Sequence, residues 1–137
     1  MRTTLVIEDN YNIRENLWEL LELSNFHVTT ASNGLRGIDS LRSETPDLII
    51  YDVSIPEMNG YQVLEFVKSK PETAKILFMF VTSIVQKKEI EKGVLSGADS
   101  YLTKPLKEAI LFENIEGLLD YNVTGKIVHS PYFVNRK

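Results

Sequence analysis

The sequence predicts an α/β protein: a five-stranded parallel sheet with helices on both faces. Three observations carry this. Short apolar runs alternate with segments of helical spacing from the N-terminus to about residue 119. One run, Ile76 to Val81, is apolar at every position, as a strand covered on both faces must be. Four of the runs end abruptly in acids, hydroxyls or a lysine.

The elements follow in order. Leu5-Val6-Ile7 is a buried strand ended by Glu8 and Asp9. Asn10 suits the cap of a helix in which Ile13, Leu17, Leu20 and Leu21 fall on one face, and Asn25 closes it. His27 to Ala31 forms a second strand, and Asn33-Gly34 a turn. Leu35, Ile38 and Leu41 repeat at helical spacing, and Pro46 bars that helix from the next strand. Leu48 to Tyr51 is the third strand, halted by Asp52, and a loop from Val53 to Asn59 contains Pro56. A helix from Gly60 to Ser69 carries Val63, Leu64 and Val67. After the fourth strand, Val85 to Ser96 forms a helix with Ile90, Val94 and Leu95 inward and Lys87, Lys88, Glu91 and Lys92 largely outward, stopped by Gly97. Tyr101-Leu102-Thr103 is the fifth strand and Leu106 to Leu119 the fifth helix. Residues 1–120 are expected to form one domain, and 121–137, without clear periodicity, a tail or the start of a linker.

Composition narrows the function. The 137 residues are 43% hydrophobic and 25% charged, which is globular and not disordered. A net charge of −4 argues against a basic nucleic-acid-binding surface, so no direct nucleic-acid partner is expected. The absence of cysteine excludes disulfides, thiolate metal sites and cysteine nucleophiles. No apolar run approaches the ~20 residues of a membrane helix, and no signal peptide is visible, so a cytoplasmic location is expected.

The polar strand ends are the functional signal. In a parallel sheet the ends bearing Glu8-Asp9, Asp52, Thr82-Ser83 and Lys104-Pro105 lie along one carboxyl edge, where ligands bind in this class. A single acid after a strand is usually a cap or loop residue. Three carboxylates together repel one another unless a cation sits among them. An oxygen-only ligand set favours a hard cation, Mg²⁺ by preference.

The motifs Val6-Ile7-Glu8-Asp9-Asn10, Asp47 to Asp52, Ile55 to Tyr61, Val81-Thr82-Ser83 and Gly97 to Pro105 resemble those of two-component response-regulator receivers over about residues 3–119. The resemblance implies a flavodoxin-like, three-layer α/β/α fold, doubly wound, with strand order 2-1-3-4-5. It implies that Asp52 is the phospho-acceptor, attacking a histidine-bound phosphoryl group on a kinase or phosphotransfer protein. Asp9 and Asp52 would hold Mg²⁺ with the backbone carbonyl of Ser54, and Glu8 through water. Thr82 would be the switch hydroxyl, Lys104 the ammonium that pairs with a phosphoryl oxygen, and Tyr101 the aromatic that turns with Thr82. A cis Lys104–Pro105 bond is implied as well. The resemblance further implies that Ser54 and Ile84 match positions that tune dephosphorylation in the family, Ile84 favouring a long-lived phosphoryl state.

Output is expected through the 85–96 helix, the fifth strand and the last helix, toward an effector protein or domain or a homodimer. Glu8 departs from the more usual aspartate but leaves a water-bridged role open. Three other readings compete. An aspartyl-phosphate phosphatase would place a second acid where Ser54 stands. A receiver that has lost phosphorylation would lack an acid, hydroxyl or lysine position, and all are filled here. A receiver fragment of a DNA-binding regulator would show its second domain elsewhere. His27 and His129 lack metal-ligand spacing, Met58 suits packing, and Trp18 lies off its helix's apolar stripe.

Overall fold

Alternation of side chains along each strand decides the architecture, because the central strands of the sheet bury both faces. A computed structural model describes residues 2–53, 58–82 and 97–124. The strands are β1 (Arg2–Ile7), β2 (Phe26–Ala31), β3 (Leu48–Val53), β4 (Leu77–Thr82) and β5 (Ser100–Thr103). They pair in parallel in the order β2-β1-β3-β4-β5, as the motif resemblance implied. The order reverses at β1, which opens a crevice at the carboxyl ends of β1 and β3.

Four helices are described: α1 (Tyr11–Leu23), α2 (Gly34–Ser40), α3 (Met58–Ser69) and α4 (Glu108–Thr124). One core layer joins Val6, Ile50, Met79, Val81 and Leu102 of the sheet to Leu17 and Leu21 of α1 and Leu111 and Ile115 of α4. The opposite layer joins Ile7, Ile49, Tyr51, Phe78 and Phe80 to Val63, Leu64 and Val67 of α3. The odd and even residues of each strand thus serve different helices.

Local chemistry fixes the helix ends. The Ile13 amide donates to Asn10 Oδ1 at 3.0 Å, satisfying one of the free N–H groups at the start of α1. Asn25, with φ 70°, turns the chain out of α1 in the left-handed region that asparagine tolerates. Asn33 caps α2 through the Arg36 amide at 2.9 Å.

Two helices depart from the sequence reading. In α2 Ile38 and the following Leu41 pack on the core as expected, but Leu35 is 73% exposed and the buried residues of the helix itself are Gly34 and Gly37. A Cβ on Gly37 would lie 2.5 Å from Ile7 Cδ1, so glycine lets α2 settle against β1 more closely than a leucine stripe would. The last helix continues to Thr124 rather than ending at Leu119, since neither glycine nor proline interrupts 120–124. The expected 85–96 helix, Pro56, Ile84, His129 and the 125–137 segment lie outside the described residues.

Candidate functional site

The register of the sheet assembles the carboxyl edge. Ile7 pairs with Tyr51, so the next residues, Glu8 and Asp52, emerge side by side. Asp52 pairs with Val81, and Thr82 with Val53 on one side and Thr103 on the other. By alternation Glu8, Asp52 and Lys104 follow Val6, Ile50 and Leu102 toward α1 and α4. Thr82 and Tyr101 share the parity of Phe80, toward the other layer, where the Tyr101 and Phe80 rings lie 5.6 Å apart.

Asp52 and Thr82 are both buried, Asp52 at 4% exposure. Lys104 Nζ lies 2.6 Å from Asp52 Oδ1. That oxygen has no aligned hydrogen-bond donor, so the contact is a pairing of charges rather than an oriented bond. The Lys104 amide donates to the Thr82 carbonyl at 2.8 Å, extending the β4–β5 ladder by one step, and the Lys104–Pro105 bond is cis. Lys104 is thereby tied by its backbone to β4 and by its side chain to β3.

Glu8 is fully buried. Its amide donates to the Ala31 carbonyl at 3.0 Å, and its Oε1 accepts from the Asn10 amide at 2.9 Å. Its Oε2 has no hydrogen-bond donor. Burial pushes the Glu8 carboxyl up to about 8, offset partly by the Asn10 amide and reinforced by Asp52 and Asp9. Asp9, in contrast, is exposed.

This arrangement answers whether a hard cation suits the site. A buried carboxylate with an unserved oxygen, beside the carboxylate of Asp52, is stable in its charged form only near positive charge. The donors are oxygens alone, which fits Mg²⁺. Among the described residues no three His, Cys, Asp or Glu side chains are gathered so as to hold a metal ion by themselves. Mg²⁺ does not need three, since it keeps several waters and takes one or two carboxylates. Ser54, expected to contribute a carbonyl, lies outside the described residues.

A cavity of about 400 Å³ opens on Asp52 and Lys104, walled by Ile13, Leu17 and Leu20 of α1 and by Leu106 and Leu111 at the start of α4. Sequence reasoning placed Ile13, Leu17 and Leu20 on the apolar face of their helix and did not find the groove. It also missed Arg14, whose Nη1 donates to the Glu8 carbonyl at 2.9 Å. The only signal was an arginine in the first turns of a helix that follows two acids. His27 lies 3.7 Å from Glu44 on the surface, away from this edge, and Trp18 is 41% exposed, in keeping with its place off the apolar stripe.

The response regulator receiver domain model matches residues 4–116. The chain belongs to that family. This receiver domain is 29% identical over 118 residues to the polar-differentiation response regulator DivK of Brucella anthropi, covering 86% of this chain and 96% of DivK. Among solved structures it resembles the signal receiver domain of a signal transduction histidine kinase from Syntrophus aciditrophicus, with a TM-score of 0.81 and 27% identity over 96% of this chain and all of that one. It also resembles the BeF3-activated DrrB receiver domain, with a TM-score of 0.76 and 25% identity over 88% of this chain and 98% of that one. The receiver is therefore a domain of two-component signalling. No described helix is long and apolar enough to cross a membrane.

Proposed function

We propose that this receiver accepts a phosphoryl group on Asp52 from a phosphohistidine of a histidine kinase or phosphotransfer protein. The observation that carries the reading is the 2.6 Å approach of Lys104 Nζ to Asp52 Oδ1, next to the buried Glu8 carboxylate. An Asp52 oxygen attacks phosphorus, the P–N bond breaks, and the imidazole keeps the electron pair and leaves. Lys104 stabilises the charge on the transferred oxygens, exchanging a carboxylate partner for a phosphoryl one. Bound Mg²⁺ would neutralise charge on the phosphoryl oxygens, held by Asp9 and Asp52 directly, by the residue 54 carbonyl, and by Glu8 through water.

The groove between α1 and α4 gives the donor its approach, since its apolar walls end at Asp52. Thr82 acts as the switch hydroxyl and Tyr101 as the aromatic that follows it, altering the surface around β5 and α4. The output is a protein contact, with an effector or a second copy of the chain. A coupling of about 1–3 kcal/mol between site and surface suffices for such a switch.

The test is incubation with acetyl phosphate or beryllofluoride and Mg²⁺. Intact mass should rise by one phosphoryl group with acetyl phosphate, and the Tyr101 ring resonances should shift with either reagent. Asp52→Asn should show neither change. Labelling that persists in Asp52→Asn would remove Asp52 from its assigned role.

A further inference from the structure

The Glu8 peptide is held at every polar group but one. Its N–H donates to Ala31, its Oε1 accepts from the Asn10 amide, and its carbonyl accepts from Arg14 Nη1. That carbonyl belongs to the peptide bond leading into Asp9, so whatever fixes it also fixes the direction in which Asp9 leaves the sheet. Arg14 is itself well anchored. Its amide donates to the Asn10 carbonyl at 2.9 Å as α1 begins, and its guanidinium lies 5.4 Å from the centre of the Tyr11 ring. The side chain is half-buried, and its hydrogen bond points to a backbone carbonyl rather than to any carboxylate.

We propose that Arg14 is a positioning residue for divalent-cation binding, acting through the Glu8–Asp9 peptide to hold the Asp9 carboxylate toward Asp52. This rests on the reading of Asp9 and Asp52 as the metal ligands. The physical reason is preorganisation. Asp9 is exposed and has rotamer and backbone freedom to lose when it binds a cation. An anchored preceding peptide removes the backbone part of that loss before the ion arrives. Groups behind metal ligands typically change affinity 10–100-fold when removed.

Charge and geometry predict opposite signs, which makes the idea testable. Arg14 is a cation near a cation site, so deleting its charge alone should tighten Mg²⁺ binding. Losing its grip on the Glu8 carbonyl should weaken it. The experiment is calorimetric titration of the full chain with Mg²⁺ alone, without phosphodonor, in wild type, Arg14→Met and Arg14→Lys, alongside urea melts in EDTA.

Arg14→Met should bind Mg²⁺ about tenfold more weakly, and Arg14→Lys, which can still donate one hydrogen bond, should fall between it and wild type. In an Asp9→Asn background, Arg14→Met should change affinity less than twofold. Tighter or unchanged binding by both Arg14 variants overturns the proposal, as does an undiminished tenfold effect when Asp9 is absent. If Arg14→Met fails to fold in the EDTA melts, Arg14→Lys decides the matter alone. Failure of the wild type to bind Mg²⁺ would instead refute the metal site itself, a separate result.

Discussion

Lys104→Met should destabilise the metal-free fold by about 2 kcal/mol, almost all of it through Asp52. At 2.6 Å the gross attraction between the two charges, in an effective dielectric near 20, is on the order of 6 kcal/mol. Two effects reduce what is measurable. Asp52, whose side chain is 2% exposed, has surrendered its hydration, and Lys104, at 23%, remains partly screened by water. The result should fall between the ~0.2–1 kcal/mol of exposed pairs and the ~3–5 kcal/mol lost when a buried pair is broken.

Asp52→Asn should be close to neutral, since it forfeits the pairing with Lys104 but also removes the cost of burying a charged carboxylate. The assay is urea unfolding in EDTA of the wild type, both single variants and the double variant. Lys104→Met alone should lower the midpoint by roughly 1 M, given urea slopes of ~1–3 kcal/mol/M. In the Asp52→Asn background, the same substitution should cost under about 0.5 kcal/mol. An equal cost in both backgrounds would refute the reasoning, because the lysine would then be acting through its hydrocarbon stem and not its charge.

Glu8 gives a pH dependence. Its carboxyl is raised in the fold from 4.5 to about 8, so the native state holds a proton that the unfolded chain releases. Its contribution to metal-free stability is therefore full below about pH 4.5 and lost as pH rises toward 8. Glu8→Gln should flatten that decline in urea melts across pH 5–9, and a decline of equal slope in both proteins would contradict it. Mg²⁺ binding by the wild type should release protons near pH 7, detectable with a pH-indicator dye in weak buffer. Gly37→Ala should destabilise by about 1 kcal/mol, overpacking against Ile7 outweighing the helix propensity gained; with Ile7→Val to make room, the thermal midpoint should return to or above that of Ile7→Val alone. Asn10→Ala should cost about 1 kcal/mol in the same melts through loss of the α1 cap.

The strands, their order and the acids at their ends were legible because each rests on a local signal. Buried parallel strands announce themselves as apolar runs, and a resemblance in motif supplied the order. Asn10 and Asn25 were readable as helix ends because capping is chemistry between near neighbours. Ile38 and Leu41 were readable as core contacts, but the close approach at Gly34 and Gly37 was not, since a glycine that is buried because something else needs the space leaves no hydrophobic trace. The α1–α4 groove was invisible for a related reason. Ile13, Leu20 and Leu106 look the same in sequence whether they close a core or line an opening. Arg14 could not be assigned because its partner is a backbone carbonyl, which every residue has.

Strand parity has a structural corollary. Asp52 and Thr82 lie one rung apart on neighbouring strands yet leave the sheet in opposite directions, one toward Leu111 and the other toward Phe80. The sheet itself thus separates the charged side chains of Asp52 and Lys104 from the aromatic layer of Phe80 and Tyr101. Deleting a single residue from β4 would swap its two sides, sending a hydroxyl among the leucines of α4 and a valine to the aromatic layer. The length of β4 up to Thr82 therefore sets which side of the sheet its hydroxyl serves, whichever apolar residues fill the rest of the strand.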